Sequence, residues 1–162
     1  MPVLVRSRLR RKLIFLPRIQ TLAQKILAAA GVPGAELSLD LVGDRRIRRL
    51  NQQYRGRDYP TDVLAFPMRE VVGPSRSLLG DVVISLHAAA RQAEARGHSL
   101  DLEVGMLLIH GTLHLCGYDH ELGAREARRM RRKELAILES LKPLPRMFRH
   151  KPSSVIRQRS LA

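Results

Sequence analysis

Hydrophobic residues recur along the chain with two different periods. From Pro17 onward they follow helical spacing and predict an amphipathic helix that ends at Gly31. Over residues 35–42 leucines alternate with polar residues, which is typical of a half-buried strand. The helical positions are Ile19, Leu22, Ile26 and Leu27, and the alternating positions are Leu37, Leu39 and Leu41.

The remaining pattern predicts further short strands and helices. Residues 3–5 suit a short edge strand, residues 62–66 a buried strand and residues 79–85 another strand. Asp44 is expected to cap a helix that turns Ile47 and Leu50 inward. Helices are also predicted over 87–96, from a cap at Ser99 to residue 115, and over about 122–141. The last of these contributes Met130, Leu135, Ile137 and Leu138 as its apolar residues.

This order of elements predicts an α+β fold. We expect a small mixed β-sheet packed with about five helices. The chain has 162 residues, which suits one domain with a real core rather than two. That domain is predicted to span residues 1–145, and a basic tail without folded structure is predicted over 146–162.

Positive charge is concentrated at the two ends of the chain. The formal net charge is +14, yet residues 19–145 hold 18 basic and 15 acidic side chains and are nearly balanced. Residues 1–18 carry six basic side chains and residues 146–162 carry five, with no acidic ones in either segment. Such ends suit a polyanion, with nucleic acid as the first candidate, although they could also add solubility or touch anionic lipid. Aromatic residues make up only 4%, so stacking of many bases is not expected.

A single cysteine, Cys116, excludes an internal disulfide and agrees with a reducing compartment. We expect Cys116 to be buried and the protein to be cytoplasmic. No apolar stretch has the length of a membrane span, so no membrane partner is expected. A basic, acid-free N-terminus can also resemble a mitochondrial presequence.

Three histidines lie close together in the sequence, at offsets 0, 4 and 10. His110 and His114 share one face of the predicted helix, about 6 Å apart along its axis. Gly117 permits the turn that brings His120 back toward them. Three imidazoles leave the fourth position of a tetrahedral ion for water, which is the arrangement of a catalytic zinc site. Three imidazoles would also accept nickel or copper.

The same offsets occur in metzincin proteases, H-E-x-x-H-x-x-G-x-x-H. Those enzymes use the Glu after the first His as general base, and here Gly111 stands at that position. Asp119 and Glu121 beside the third histidine could substitute, although such neighbours more often orient imidazoles or cap the next helix. The sequence therefore disfavours peptide hydrolysis.

The segment from His110 to His120 resembles the H-G-x-L-H-L-x-G-Y-D-H signature of the YbeY family of bacterial endoribonucleases. Residues 50–67, which contain Tyr54-Arg55-Gly56 and Pro60-Thr61-Asp62, look like that family's N-x-x-Y-R-G-x-D-x-P-T-D-V-L-S-F-P block. Residues 80–85 look like its G-D-I-x-I-S strand. Ala65 stands where Ser is commoner. The likeness spans about residues 35–141.

This resemblance implies a zinc-dependent, single-strand-directed endoribonuclease. Its expected roles are maturation of ribosomal RNA, notably the 3′ end of the small-subunit RNA, and ribosome quality control. Ribosomal RNA and the ribosome or small-subunit assembly components are the implied partners. The resemblance makes His110, His114 and His120 the ligands of one Zn²⁺ ion and Arg55 the basic residue of the active cleft, where a guanidinium suits phosphate geometry.

Two questions stay open from the sequence. No general base is assigned, because Asp62 and Asp81 suit capping or pairing with arginine, and the cleavage product could carry a 3′-OH or a 2′,3′-cyclic phosphate. The alternative functions are a metzincin-like metalloprotease and a non-catalytic ribosome-assembly factor in which zinc is structural.

Overall fold

Four strands form one mixed sheet in the computed structural model, which describes residues 3–7, 9, 13–68 and 78–149. The strands are β1 (Val3–Ser7), β2 (Glu36–Val42), β3 (Val63–Pro67) and β4 (Leu78–Ser85). Their order is β1-β2-β4-β3. The β1–β2 and β2–β4 pairs are parallel, whereas β3 runs antiparallel to β4. The predicted mixed sheet and the edge position of the first strand are confirmed.

Five α-helices pack with this sheet in the part of the chain that the structure describes. They are α1 (Leu16–Ala29), α2 (Asp44–Arg55), α3 (Leu86–Arg96), α4 (Leu100–Leu115) and α5 (Ala124–Leu141), with a short 3₁₀ turn at His120–Leu122. The predicted α+β class is therefore confirmed. Among the described residues, none of these helices combines the length and apolar character needed to cross a membrane.

The two faces of the sheet carry separate hydrophobic clusters. The larger core lies between the sheet and helices α1, α3, α4 and α5. On the other face, α2 buries Ile47 against a small cluster formed by Val42, Leu64 and Val83. Alternation along β4 explains the division, because successive side chains of a strand point to opposite faces.

Helix α4 occupies the centre of the larger core. It contacts β3, β4, α1, α3 and α5, and 11 of its 16 residues are buried. Its first turn contains Glu103, whose fully buried carboxylate accepts a hydrogen bond from Arg96 and pairs with His98. These contacts satisfy a charge that would otherwise be costly inside the core, and they join the end of α3 to the start of α4.

The strand β3 differs from its prediction as a buried strand. It lies at the sheet edge, and of its five residues only Leu64 is buried. A short apolar run does not by itself distinguish a central strand from an edge strand with one covered face. The difference has a functional consequence, because the half-buried Val63 and Ala65 are left to line a cleft.

The predicted cap at Asp44 is wrong. Gly43 occupies the N-cap position of α2, and Asp44 is the first helical residue. Its carboxylate accepts hydrogen bonds from Ser85 Oγ at 2.9 Å and from Arg91 Nη1 at 2.6 Å. Ser85 in turn caps α3 by accepting from the amide of Ala88. Asp44 therefore links the starts of α2 and α3, a long-range role that local sequence does not reveal.

Two further predictions about the C-terminal part need correction. Leu135 is 47% exposed, because it lies about 140° around α5 from the buried Met130. The tail predicted over 146–162 is packed at its beginning, since Met147 and Phe148 are buried and the amide of Met147 donates to Asp101 Oδ1 at 2.8 Å. The packed chain thus continues past the expected boundary at residue 145, and residues 150–162 lie outside the described residues.

The Asp44 link predicts a pH-dependent contribution to stability. Burial raises the pKa of Asp44, but hydrogen bonds from Arg91 and Ser85 outweigh it and hold the pKa below its usual value of about 3.8. Because the folded pKa is depressed, the stabilisation is present above the unfolded pKa and is lost as pH falls through the folded one. We expect D44N to lower the free energy of unfolding at pH 7 and to match the wild type more closely below pH 3.8.

Urea unfolding at several pH values measures this difference. The matched control is D58N, which removes an exposed carboxylate paired with Arg48 and should change stability less. A gap between wild type and D44N that stays constant from pH 7 to pH 3 would contradict the proposed link.

Candidate metal centre

The last turns of α4 place two histidines on one helix face. The helix begins at the predicted cap, where Ser99 Oγ accepts from the amide of Leu102 at 3.1 Å. It ends at Leu115 with Cys116 as its C-cap, and Gly117 follows with φ 98°, a left-handed conformation that favours glycine. The rings of His110 and His114 lie 4.8 Å apart between centroids, as their four-residue spacing predicts.

The turn after Gly117 returns the third histidine to the first two. Asp119 Oδ1 accepts from the amide of Glu121 at 2.9 Å and so caps the short 3₁₀ turn that begins with His120. The ring of His120 lies 5.1 Å from each of the other two rings. One nitrogen from each ring lies within 4.8 Å of the others, so the three side chains could hold one metal ion.

The donor set fits a zinc-sized ion. Zinc–imidazole bonds of about 2.0–2.1 Å in a tetrahedron require nitrogens about 3.3 Å apart. His114 Nε2 and His120 Nδ1 already lie 3.1 Å apart. Burial and the neighbouring His110 and His120 lower the pKa of His114, which favours the neutral imidazole that binds metals. Modest ring rotations would therefore complete the three-nitrogen site.

Cys116 is close in sequence but is not part of this cluster. It follows the last turn of α4 and is half-buried rather than fully buried as expected, because the turn at Gly117 leaves one side of it accessible. Burial raises the pKa of its thiol, which disfavours the thiolate that a metal would need.

Glu134 on α5 is a site residue that the sequence did not identify. Its carboxylate oxygen lies 3.3 Å from His110 Nδ1. A carboxylate at this position favours the tautomer that carries its proton on Nδ1, which leaves Nε2 of His110 free to bind an ion. Glu134 lies 24 residues away in an Arg- and Glu-rich helix that looks solvated, so only the fold reveals its partner.

The three histidines line one wall of a cleft of about 700 Å³. Arg55, the last residue of α2, lines the same cleft and is exposed. Gly56 follows it with φ 68° and lets the chain turn away from the helix. The structure therefore places Arg55 and the histidine cluster, which the resemblance assigns to one site, along the same cleft. Arg57 also lines the cleft.

The loop after α2 is anchored to the helix at two places. Asn51 is buried, and its Nδ2 donates to the carbonyl of Tyr59 at 2.9 Å. Arg48 forms two hydrogen bonds with Asp58, at 2.8 and 3.3 Å. These contacts fix the loop that carries Arg57 along the cleft.

The acidic residues of the cleft differ in how many hydrogen bonds their carboxylates already form within the protein. Asp62 accepts from the amide of Val63 at 2.8 Å and from Gln92 Nε2 at 3.2 Å, and Asp119 caps its own turn. No side-chain hydrogen bond to a described residue engages Glu121. Asp81 is exposed on β4 and does not line the cleft.

Gly111 lies between the first two histidines where α4 approaches the sheet most closely. A Cβ built on it would lie 2.8 Å from Val82 Cγ1 and 3.3 Å from Val63 Cγ2. Real Cβ atoms essentially never come that close, so the position has no room for the glutamate that metzincins carry. The packing gives a physical reason for the glycine that the sequence showed there.

Comparison with known proteins agrees with this site. The family described as Endoribonuclease YbeY matches residues 8–142. The chain belongs to the YbeY family. The family match begins at residue 8, whereas the resemblance seen in the sequence motifs begins only at about residue 35.

Relatives and a solved structure support the same assignment to the YbeY family. A relative from Anaeromyxobacter, named Endoribonuclease YbeY, is 56% identical over 74% of this chain, which spans 62% of that relative's length. A relative from Aquifex aeolicus with the same name is 45% identical over 83% of this chain and 89% of that relative's length. A Thermotoga maritima protein solved in solution is 27% identical, with a TM-score of 0.58 over 85% of this chain and 87% of its own.

The close approach at Gly111 predicts a stability loss on adding one methyl group. Alanine favours helix by about 1 kcal/mol over glycine, but G111A forces contact with the buried Val82, and overpacking typically costs about 1–3 kcal/mol. We expect a net loss of stability and a displaced histidine cluster. The control is G105A in the same helix, where the added Cβ meets the tip of Leu144 at 2.8 Å.

Thermal unfolding of both variants tests this prediction. Leu144 is half-buried and its side chain can rotate, so G105A should keep or gain stability. Equal melting temperatures for G111A and G105A would contradict the steric role assigned to Val82.

The Glu134 contact predicts a change in metal affinity. E134Q keeps the size of the side chain but removes its charge, and loss of such a supporting contact typically costs about 10–100-fold in metal affinity. We expect at least a tenfold weaker zinc affinity in competition with a chromophoric chelator. The control E126Q alters a carboxylate of the same helix that pairs with Arg129 and should leave the affinity unchanged. A zinc affinity of E134Q equal to that of the wild type would exclude the orienting role.

Proposed function

We propose that this chain is a zinc-dependent, single-strand-directed endoribonuclease that acts in the maturation of ribosomal RNA. The proposed target is the 3′ end of the small-subunit RNA, with a further role in ribosome quality control in the cytoplasm. The observation that carries the proposal is the shared cleft, in which a three-histidine cluster and Arg55 line the same space. Relatives named Endoribonuclease YbeY support the choice of RNA as substrate.

The three histidines are the proposed ligands of one zinc ion. A bound zinc ion supplies Lewis-acid polarisation of a phosphoryl oxygen and activation of water near neutral pH. Zinc suits hydrolysis because it has no redox chemistry, although three imidazoles also accept nickel or copper. His110 is held for this purpose by Glu134, and the lowered pKa of His114 keeps that ring neutral.

Arg55 is the proposed phosphate-binding group. Its guanidinium forms no ion pair with any described residue, so it is available to the substrate. A guanidinium can donate two hydrogen bonds to a phosphodiester and stabilise charge that develops at phosphorus. Tyr54, which is 62% exposed at the same cleft, offers a surface on which one base could stack. A cleft of this kind suits unpaired RNA, whose bases can be turned outward.

The alternatives receive less support from the cleft. A metalloprotease of the metzincin type needs a general base where Gly111 packs against Val82. A purely structural zinc is normally closed by a fourth protein ligand, and Cys116, the nearest candidate, does not belong to the cluster. We propose small-subunit assembly components as partners on the strength of the proposed substrate.

The proposal predicts the effect of removing Arg55. Loss of one donor to a developing oxyanion typically costs about 10²–10³ in rate, so R55A should lower kcat/KM on single-stranded RNA by about that factor. R55K keeps the charge but not the planar pair of donors and should recover only part of the activity. The control R49A removes an exposed arginine of α2 that does not line the cleft and should cleave like the wild type.

Cleavage is measured on a single-stranded RNA that contains the 3′ end of the small-subunit precursor and on its duplex. H114A, purified in the same way, should lose cleavage and zinc together. Undiminished cleavage by both R55A and H114A would identify a contaminating nuclease. Restored ribosomal RNA processing by H114A in a deletion strain would favour the non-catalytic assembly factor.

A further inference from the structure

A second basic pocket lies where residues 13–15 meet residues 147–149. Ile14 pairs with Phe148 in an isolated bridge. The amide of Phe15 donates to the carbonyl of Met147 at 2.8 Å, and the amide of Arg149 donates to the carbonyl of Leu13 at 3.0 Å. These backbone bonds fix the two segments against each other beside the start of α1.

Three arginines surround an aromatic ring at this place. The cavity of about 380 Å³ is lined by Phe15, Arg18, Arg146 and Arg149, and we call it the terminal arginine pocket. The guanidinium carbon of Arg18 lies 4.2 Å from the centre of the Phe15 ring, and that of Arg149 lies 4.9 Å from it. Its volume falls within the range of about 300–1,000 Å³ that is common for small-ligand sites.

Backbone carbonyls hold two of the three arginines in place, and the third, Arg149, lies over the Phe15 ring. Arg18 Nη1 donates to the carbonyl of Arg146 at 2.9 Å, and Arg146 Nη2 donates to the carbonyl of Arg149 at 3.2 Å. Neutral acceptors orient a guanidinium without neutralising it. The pocket is therefore organised before a ligand arrives, which lowers the entropy cost of binding.

The charge of this pocket is not compensated within the described chain. Arg18, Arg146 and Arg149 form no ion pair with a described residue. The first turn of α1 holds no acidic residue, although a helix start carries partial positive charge and favours anions. Five arginines elsewhere on the described surface are paired with carboxylates, namely Arg6, Arg48, Arg91, Arg96 and Arg129. Others, such as Arg45 and Arg49, also form no ion pair with a described residue, but they do not surround a common cavity as the three arginines of the terminal arginine pocket do. Such a gathering of cations favours an anionic ligand.

The chemistry of the pocket suits a nucleotide of a single strand. Guanidinium groups bind phosphate through paired hydrogen bonds, and their planes can stack on bases. The sequence on both sides of the pocket residues is also positively charged, with five basic residues over 1–17 and three over 150–162. No lining residue is shared with the histidine cleft.

We infer that the terminal arginine pocket is a second RNA-binding site, which holds one nucleotide of the substrate strand outside the cleft. The inference rests on the proposed function for the identity of the polymer. The pocket increases the affinity for longer RNA and fixes the position of the strand in the cleft, because two contacts on one strand reinforce each other. It takes no part in bond cleavage.

Binding and cleavage test the two proposals separately. The protein is the full chain, and the variants are R18A/R149A, the charge-keeping R18K/R149K, and the control R45A/R49A, which removes two exposed arginines of α2. RNA binding is measured by fluorescence anisotropy on the H114A background, with one single-stranded RNA that extends beyond the cleft and a short one that fills only the cleft. Cleavage is measured without H114A.

We expect R18A/R149A to weaken binding of the longer RNA and to make its salt dependence shallower by about 0.7 in log K against log salt, since the one nucleotide held by the pocket brings one single-strand phosphate contact. Binding of the short RNA, and its kcat/KM, should stay unchanged. R18K/R149K should restore the salt dependence but only part of the affinity, because lysine lacks the planar donor pair. R45A/R49A should behave like the wild type.

Equal binding of the longer RNA by R18A/R149A and R45A/R49A, with unchanged melting temperatures, would overturn the inference. Loss of binding to phosphatidylserine vesicles with intact RNA binding would overturn it in favour of a membrane surface. If the binding differences appear but neither the wild type nor any variant cleaves RNA, the second RNA-binding site is supported and the proposed endoribonuclease activity is refuted.

Discussion

The close contact between α4 and the sheet at Gly111 determines where the cleft residues lie. Without a Cβ, the helix backbone can approach Val82 and Val63 closely enough to bring the flanking His110 and His114 over the edge of the sheet. Ala65 lies opposite Val82 in the neighbouring strand and lines the cleft at that point. A larger residue at 111 would separate helix and sheet, and the histidine wall would then move relative to the end of α2.

The core of the site could be predicted because it is encoded locally. Helix geometry fixes the relation of His110 to His114, and a left-handed glycine fixes the return of His120, so offsets of four and ten residues were sufficient. The alternation of leucines in β2 likewise reports directly on one buried face. Arg55 required the family resemblance, because an arginine in a basic chain carries no signal of its own.

The features that sequence did not reveal are long-range pairings. Glu134 reaches His110 across 24 residues, although it looks like an ordinary solvated carboxylate of its helix, and Asp44 reaches Arg91 across 47, although the sequence predicts only a helix cap there. The sequence places Met147 in the basic tail predicted over 146–162, yet its amide donates to Asp101 and its side chain is fully buried. In each case the fold brings the two partners into contact, and the local hydrophobic periodicity of the sequence does not predict the pair.

The bridge between Ile14 and Phe148 has a consequence for how the chain meets a polyanion. It tethers the two basic segments at one point, although they lie at opposite ends of the sequence. Because the bridge holds Arg18 and Arg149 around one aromatic ring, a polyanion that contacts one of them would meet the other without a second diffusional search. A contact between distant parts of the sequence would thus make two weak sites behave as one bivalent site.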